Sequence, residues 1–484
     1  MSSSPSAWIT SSLSPNGNEH VTKTLTGAET RKQQLIPTHL FLHFDINETI
    51  LLGDDAGGDS RNESAQKMLA KSAFCRIPTL PSKKSLTWEK TKELKPTHWW
   101  DGQEIFRETS MPPLYTGWEW PENCCPYYRT AFKAQAKCFT ESHGKIYTPL
   151  LHACEAKIPR PSRDACESTS EDNQDEQITI LPAFYETLRY LVENYQKNEE
   201  VSSHTDEKEN DNNKPHQPPP FTIIFRTFGS DLANIASVVT DFAQGKHPSY
   251  PDINFPPLCL RKDRLYQGRW KVVEKESKID DDNSLEAGDS KIKAIYQLWT
   301  YDESELVASG DSEILELLSG RTEIDNSLPS SPSPPTIIGI RDDYSFWKGN
   351  QYSPIAGKPI WVPDYDSKNL QKGVTKANEY TPYGHHLLFD DNIHNLPDDG
   401  IACIRKEVLA RSVIENGVAI EKDSSSLFET VDGSDIGAYH GINLVRVPTV
   451  EPVLNPRWYI QQIEDARSKL QLRLQRQMQS EIGR

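Results

Sequence analysis

The sequence predicts an α/β protein with a doubly wound parallel sheet, that is, a Rossmann-like core. Three apolar runs of strand composition each end in a polar side chain, at Asp45, Thr227 and Asp390. Segments of helical periodicity alternate with these runs, which is the pattern of a parallel sheet covered by helices. In open parallel sheets, ligands bind beyond the carboxyl ends of the strands. We therefore expect these three side chains to line one crevice.

The composition indicates a folded core with long irregular segments around it. The chain has 484 residues, enough for two or three average domains or for one domain with large insertions. Only 36% of the residues are hydrophobic and 34 are prolines, so we expect a core of about half the chain. The formal net charge of −17 argues against nucleic acid or an anionic membrane surface as the main partner.

The cysteines and the apolar runs predict an intracellular protein, cytoplasmic rather than nuclear. The eight cysteines are scattered and form no Cys-x-x-Cys motif, which favours a reduced compartment over a disulfide framework. The N-terminal segment lacks the apolar stretch of a secretory signal. No run approaches the roughly 20 residues of a membrane span.

The first predicted elements lie in the N-terminal half of the chain. A strand is predicted within 36–52, and it ends at Asp45. A segment of helical composition at 62–73 opens a long insertion. Residues 181–196 are predicted to form an amphipathic helix, because their apolar side chains follow the 3.6-residue period and Pro182 suits a first helical turn.

The second half supplies the remaining strands. Residues 221–225 are typical of a buried strand, and Ser230 or Asp231 can cap the helix that follows. Two further strands are predicted at 335–340 and 386–389, each after a long polar or charged stretch. These strands complete the predicted sheet.

Shifts in composition divide the chain into a discontinuous core and two insertions. The predicted organisation is a disordered leader at 1–35, a core at 36–52, 178–244 and 335–450, a cap-like insertion at 53–177, a second insertion with an acidic linker at 245–334, and a C-terminal helix at 451–484. Polar composition also predicts disordered or extended chain at 160–177, 197–220 and 274–292. The apolar face of the C-terminal helix is a candidate surface for a protein partner.

The strand end at Asp45 carries a recognisable motif. The chain reads Phe-Asp-Ile-Asn-Glu-Thr over residues 44–49. This stretch resembles motif I of the haloacid dehalogenase-like (HAD) superfamily, whose common phosphatase form is Asp-x-Asp-x-Thr/Val. The resemblance implies that Asp45 is the nucleophile and forms an aspartyl-phosphate, that Thr49 is the motif threonine, and that the main-chain carbonyl of Asn47 is a metal ligand.

Two other strand ends resemble later motifs of the same family. Ile-Ile-Phe-Arg-Thr ends at Thr227 as in motif II, and Leu-Leu-Phe-Asp-Asp-Asn places Asp390 and Asp391 as in motif IV. The resemblance implies that Thr227 donates a hydrogen bond to a phosphoryl oxygen, and that the acidic pair binds Mg²⁺. Motif III is a lysine, for which Lys358 in Gly-Lys-Pro is the better candidate and Lys348 is the competitor.

Asn47 is the position at which the chain departs from the family pattern. HAD phosphatases have an aspartate there, which protonates the leaving oxygen and later activates water. An amide has no titratable proton near neutral pH, and losing general acid–base help costs typically about 10²–10⁴-fold in rate. Two functions therefore remain open. One is a Mg²⁺-dependent phosphatase that acts on a small phosphorylated substrate through Asp45. The other is a catalytically weak HAD-like protein that binds a phosphorylated ligand or a protein partner.

Overall fold

A computed structural model gives the structure of this protein and describes residues 39–52, 59–77, 88–107, 114–158, 180–204, 219–275, 292–320, 335–363, 384–408, 413–415, 418–420 and 428–482. All of these residues belong to one unit of the chain, Ile36–Arg484. The predicted disordered segments 1–35 and 160–177 lie outside the described residues, as do most of 197–220 and 274–292. Those predictions stay untested for the residues outside the described ranges, but residues 197–204 are helical, so the prediction of disordered or extended chain is wrong there.

The described residues form fifteen strands and nine α-helices. The strands are β1 Leu40–Asp45, β2 Phe74–Arg76, β3 Cys124–Pro126, β4 Phe221–Thr227, β5 Leu265–Lys275, β6 Ile292–Thr300, β7 Leu306–Ser309, β8 Ile337–Arg341, β9 Lys358–Val362, β10 His385–Asp390, β11 Ala402–Glu407, β12 Val413–Glu415, β13 Val418–Ile420, β14 Phe428–Thr430 and β15 Leu444–Arg446. The α-helices are α1 Arg61–Ser72, α2 Trp88–Thr91, α3 Thr148–Lys157, α4 Pro182–His204, α5 Leu232–Ala243, α6 Asp311–Ser319, α7 Tyr344–Gly349, α8 Val450–Leu454 and α9 Trp458–Ile482. No helix of the described chain combines the length and apolarity needed to cross a bilayer.

An eight-stranded sheet with the order β15-β10-β1-β4-β8-β5-β6-β7 forms the centre of the fold. The six strands from β15 to β5 pair in parallel, whereas β6 and β7 add in antiparallel fashion. The α/β prediction is therefore confirmed, with the correction that the sheet is mixed rather than wholly parallel. The antiparallel strands come from the predicted second insertion, 245–334, part of which extends the core sheet.

The two faces of the sheet are covered differently. Side chains alternate between the faces along each strand, and Leu42 and Phe44 of β1 pack with α4, α5 and α9 on one face. On the other face, Phe41 and Ile224 pack with α6 and with Trp361 of a small sheet, β14-β11-β9. This arrangement corrects the doubly wound prediction, because a second sheet takes part in covering a face that helices alone were expected to cover.

The helices follow the predicted apolar patterns closely. In α4, Phe184, Leu188 and Val192 are buried at helical spacing, and the helix continues to His204, eight residues beyond the predicted end at 196. The apolar stripe of α5 is also buried. The C-terminal helix α9 buries its apolar face, including Ile463, in the protein itself. The prediction of a protein partner at that face remains untested.

The described part of 53–177 packs around two apolar clusters, and the larger one also includes Leu52, Leu181, Val450 and Val453 from outside this range. Its first helix, α1, begins with a capping box in which Ser60 and Glu63 bond each other's backbone N–H groups. Such reciprocal bonds satisfy two donors that the first helical turn leaves free. The helix is therefore fixed at its N-terminus, and its other end reaches the carboxyl edge of the main sheet.

Candidate active site

Two carboxylates stand side by side at the carboxyl edge of the main sheet. Strands β1 and β10 are parallel neighbours, with Phe44 opposite Phe389, so Asp45 and Asp390 are the next residues on each strand. Both are buried. One oxygen from each of Asp45, Asp390 and Asp391 lies within 4.8 Å of the others. The structure thus brings together the three acidic residues that the sequence selects.

Lys358 is the lysine that joins this cluster. Its Nζ donates to Asp390 Oδ2 at 2.8 Å and also to Asp45 Oδ1. It is the first residue of β9, which belongs to the smaller sheet on the second face of the main sheet. Lys348, the competing candidate, is exposed on α7 and lies 6.0 Å from the ring centroid of Tyr344. The structure therefore separates two lysines between which the sequence does not decide.

Burial dominates the electrostatics of the cluster. It raises the pKa of Asp45 well above the ordinary value; Lys358 opposes this rise, and the carboxylates of Asp390 and Asp391 add to it. Burial raises the pKa of Asp390 in the same way. For Lys358, burial acts to lower the pKa, but the carboxylates of Asp390 and Asp45 outweigh it and raise the pKa. Lys358 therefore keeps its proton, and the cluster favours additional positive charge.

The loop after β1 carries Asn47, Glu48 and Thr49, the residues of the motif resemblance that follow Asp45. Thr49 Oγ1 donates to Asp45 Oδ2 at 3.3 Å, and Tyr459 of α9 donates to the Thr49 carbonyl at 2.5 Å. Glu48 has φ of 60°, in the left-handed region that non-glycine residues seldom occupy. The hydroxyl of Thr449 donates a hydrogen bond to the main-chain carbonyl of Glu48. Contacts from the C-terminal region thus fix the loop that directly follows the candidate nucleophile Asp45.

Asn47 and Thr227 meet at a residue that was predicted only as a helix cap. Asp231 Oδ2 accepts a hydrogen bond from Asn47 Nδ2 at 3.1 Å and one from Thr227 Oγ1 at 3.5 Å. Asp231 occupies the N-cap position of α5, yet its side chain makes no capping bond. The capping prediction for its side chain is therefore wrong, since that carboxyl points toward motif I. The local sequence around Asp231 indicates only a helix cap, so nothing in the single sequence identifies its contact with Asn47.

A lysine from the inserted region also reaches the cluster. Lys71 Nζ, in the last turn of α1, donates to Asp391 Oδ2 at 2.6 Å and pairs with Glu48. Burial acts to lower the pKa of Lys71, but Asp391, Tyr128 and Asp45 together outweigh burial and raise the pKa. Sequence reasoning missed this residue because nothing in its local pattern separates it from a solvated helix lysine.

A buried ion pair supports the strand that carries Lys358. Arg226 precedes Thr227 in β4, and its guanidinium makes two hydrogen bonds to the carboxylate of Asp342, at 2.9 and 2.5 Å. Its Nη1 also donates to the Pro359 carbonyl at 2.9 Å. Because Pro359 follows Lys358 directly, this bond fixes β9 against the main sheet at the point where the lysine enters the site.

The donor set fits a hard divalent cation. Mg²⁺ prefers carboxylate and water oxygens at about 2.0–2.1 Å, and Asp45, Asp390 and Asp391 offer three carboxylate oxygens in a confined region. Two oxygen ligands of one such ion are at most about 4.2 Å apart. Modest rotation of the three side chains from the observed spacing brings their oxygens within that distance.

Comparison with protein-family models, with curated proteins and with solved structures found no match to this chain. A function can therefore be inferred only from the geometry of the acidic cluster and from the motif resemblance.

Proposed function

We propose that this protein is a HAD-like, Mg²⁺-dependent phosphatase that uses Asp45 as its nucleophile. The observation that carries the proposal is the placement of Lys358 between Asp45 and Asp390, with Asp391 beside them. Phosphoryl transfer needs a nucleophile and positive charge around the transferred oxygens. Asp45 supplies the nucleophile. Lys358 supplies positive charge directly, and the three carboxylates can supply more of it by binding a cation.

The role of each group follows from its chemistry. Asp45 attacks phosphorus, the bond to the leaving oxygen breaks, and an aspartyl-phosphate forms on Asp45. Lys358 and the hydroxyl of Thr227 stabilise the charge on the phosphoryl oxygens by donating hydrogen bonds. A cation held by Asp45, Asp390 and Asp391 would neutralise negative charge on the phosphoryl group. Water then attacks phosphorus and releases inorganic phosphate and the Asp45 carboxylate.

The inserted region contributes to recognition in this proposal. Lys71 enters the site from α1, and its ammonium group also lies 5.0 Å from the ring centroid of Tyr128. Lys67 and Lys133 approach the same ring, at 5.3 and 5.4 Å. A small, anionic phosphate ester fits this arrangement, because the insertion presents cations on the side from which a substrate would approach Asp391.

A second function, binding without turnover, is favoured by two specific features. Asn47 cannot protonate a leaving oxygen, and Lys358 and Lys71 already neutralise part of the carboxylate charge. A site of this kind can hold a phosphorylated ligand without cleaving it. The two functions differ in whether Asp45 becomes covalently phosphorylated.

The test is turnover of a panel of phosphate esters and acyl phosphates with Mg²⁺. The wild-type protein should release phosphate, and Asp45→Asn should abolish that release, while Asp263→Asn, at an exposed carboxylate, should leave it unchanged. Mass spectrometry of the acid-quenched reaction should locate a phosphoryl group on Asp45. Binding of inorganic phosphate with no turnover of any substrate would move the assignment to the binding function.

A further inference from the structure

Asp231 is a buried carboxyl group that the motif resemblance does not use. It is only 5% exposed, although it begins a helix. An aspartate at a helix N-cap normally accepts a hydrogen bond from the helix backbone, but its side chain makes no such bond here. Both of its described bonds, from Asn47 and Thr227, end on Oδ2. This carboxyl is therefore directed to the candidate active site rather than to its own helix.

The loop that precedes Asp231 is shaped to let the carboxyl approach. A Cβ at Gly229 would lie 2.4 Å from Asp231 Oδ2, so any side chain there would push the carboxyl away. The Gly229 N–H also donates to Thr227 Oγ1 at 2.9 Å. The backbone of Gly229 thus fixes the Thr227 hydroxyl, and the missing side chain of Gly229 leaves space for the Asp231 carboxyl.

The amide of Asn47 suits this neighbour better than a carboxylate would. Its Nδ2 donates to Asp231 at 3.1 Å, whereas a second carboxylate at that distance would repel the first unless one were protonated. The other amide atom, Oδ1, is buried and has no hydrogen-bond partner within the described chain. A water or a substrate hydroxyl placed beside Asp231 would satisfy it.

We propose that Asp231 is the general acid and base of this site, so that the carboxyl absent at position 47 is supplied from the start of α5. This inference rests on the proposed phosphatase function. In the first step, Asp45 bonds to phosphorus, the electron pair of the broken P–O bond goes to the leaving oxygen, and the carboxyl proton of Asp231 completes the alcohol. In the second step, water bonds to phosphorus and gives its proton to the Asp231 carboxylate. The electron pair of the acyl P–O bond returns to Asp45.

The test compares leaving groups in the full-length protein with Mg²⁺. In Asp231→Asn, turnover of an alkyl phosphate should fall about 10²–10⁴-fold, whereas turnover of acetyl phosphate, whose leaving group needs no proton, should change little. Gly229→Ala keeps the carboxyl but displaces it, and should show the same selective loss. Asp241→Asn, at a half-exposed carboxylate of the same helix, is the matched control and should behave as wild type.

A double variant that exchanges the two side chains tests whether the carboxyl group itself is the proton donor. Asn47→Asp combined with Asp231→Asn restores a carboxyl–amide pair in the opposite order, and should recover alkyl phosphate turnover relative to Asp231→Asn alone. Equal losses on both substrate types would overturn the proposal, because they indicate damage to the fold or the nucleophile. Unchanged alkyl phosphate turnover in Asp231→Asn would overturn it as well. If acetyl phosphate and alkyl phosphate are both untouched by the wild-type protein, the phosphatase function fails first and the role of Asp231 fails with it.

Discussion

Asp342→Ala is expected to destabilise the fold strongly, because it removes the counter-ion of a guanidinium that is wholly buried. The side chains of Arg226 and Asp342 are 0% and 2% exposed, and Tyr296 also donates to Asp342 at 2.5 Å. Breaking a buried pair by removing one partner costs about 3–5 kcal/mol, and the tyrosine hydroxyl loses its acceptor as well, at about 1–3 kcal/mol. A typical domain has only about 5–15 kcal/mol of stability, so the variant should unfold at a much lower urea concentration.

Urea denaturation of the variant against a matched surface pair measures this effect. Asp263 pairs with Arg261 at 2.7 Å, but the two side chains are 63% and 62% exposed, so Asp263→Ala should cost less than about 1 kcal/mol. The double variant Arg226→Met, Asp342→Ala should be more stable than Asp342→Ala alone, because no uncompensated charge remains in the core. Equal losses for Asp342→Ala and Asp263→Ala would refute the reasoning.

Three other predictions concern the loop and the acidic cluster. Lys71→Met should lower the Mg²⁺ concentration that half-saturates thermal stabilisation, because the lysine no longer competes with Mg²⁺ for Asp391. The same variant should bind inorganic phosphate more weakly, because the site has lost a positive charge. A rise in the Mg²⁺ concentration needed for half-saturation would contradict this prediction. Tyr459→Phe should lower the free energy of unfolding by about 1–3 kcal/mol, since the Thr49 carbonyl loses a buried donor, and urea denaturation checks it. Burial raises the folded-state pKa of Asp45 above its unfolded-state value, so the cost to stability builds up as the pH rises from the unfolded-state pKa and is complete above the folded-state pKa. In metal-free buffer Asp45→Asn should therefore melt higher than wild type at about pH 8, with the gain vanishing as the pH falls toward about 4; a gain that grows with acidity would show the opposite linkage.

The main features of the sheet could be predicted because they depend on local pattern. The strands that carry Asp45, Thr227 and Asp390 are short and wholly buried, so each is a near-continuous apolar run that ends in a polar residue. Parallel strands end at the same edge, and this rule was enough to bring the acidic residues together. The helices α4 and α9 were predictable for a similar reason, since their apolar residues repeat at the helical period.

The parts that could not be predicted depend on contacts between distant segments. The hairpin of β5 and β6 flanks a long acidic stretch, and that polar interruption hides two strands whose buried residues include Trp270 and Tyr296. Lys71 and Asp231 each have a local role as a helix lysine and a helix cap. Only tertiary packing turns them toward the site, and no spacing rule for a single sequence contains that information.

The separation of its parts along the chain governs when this site can form. Lys358 and Asp45 are 313 positions apart in the sequence, and the β10 neighbour of β1 lies farther still. Closing such long loops costs entropy before any contact is gained. During synthesis, β1 leaves the ribosome long before β10 is made, and its six buried residues have neither of their final neighbours until β4 and then β10 emerge. The nascent protein must therefore carry this apolar strand without a neighbour until β4 emerges, and with one open edge until β10 emerges, a state in which chaperones commonly protect a chain from aggregation.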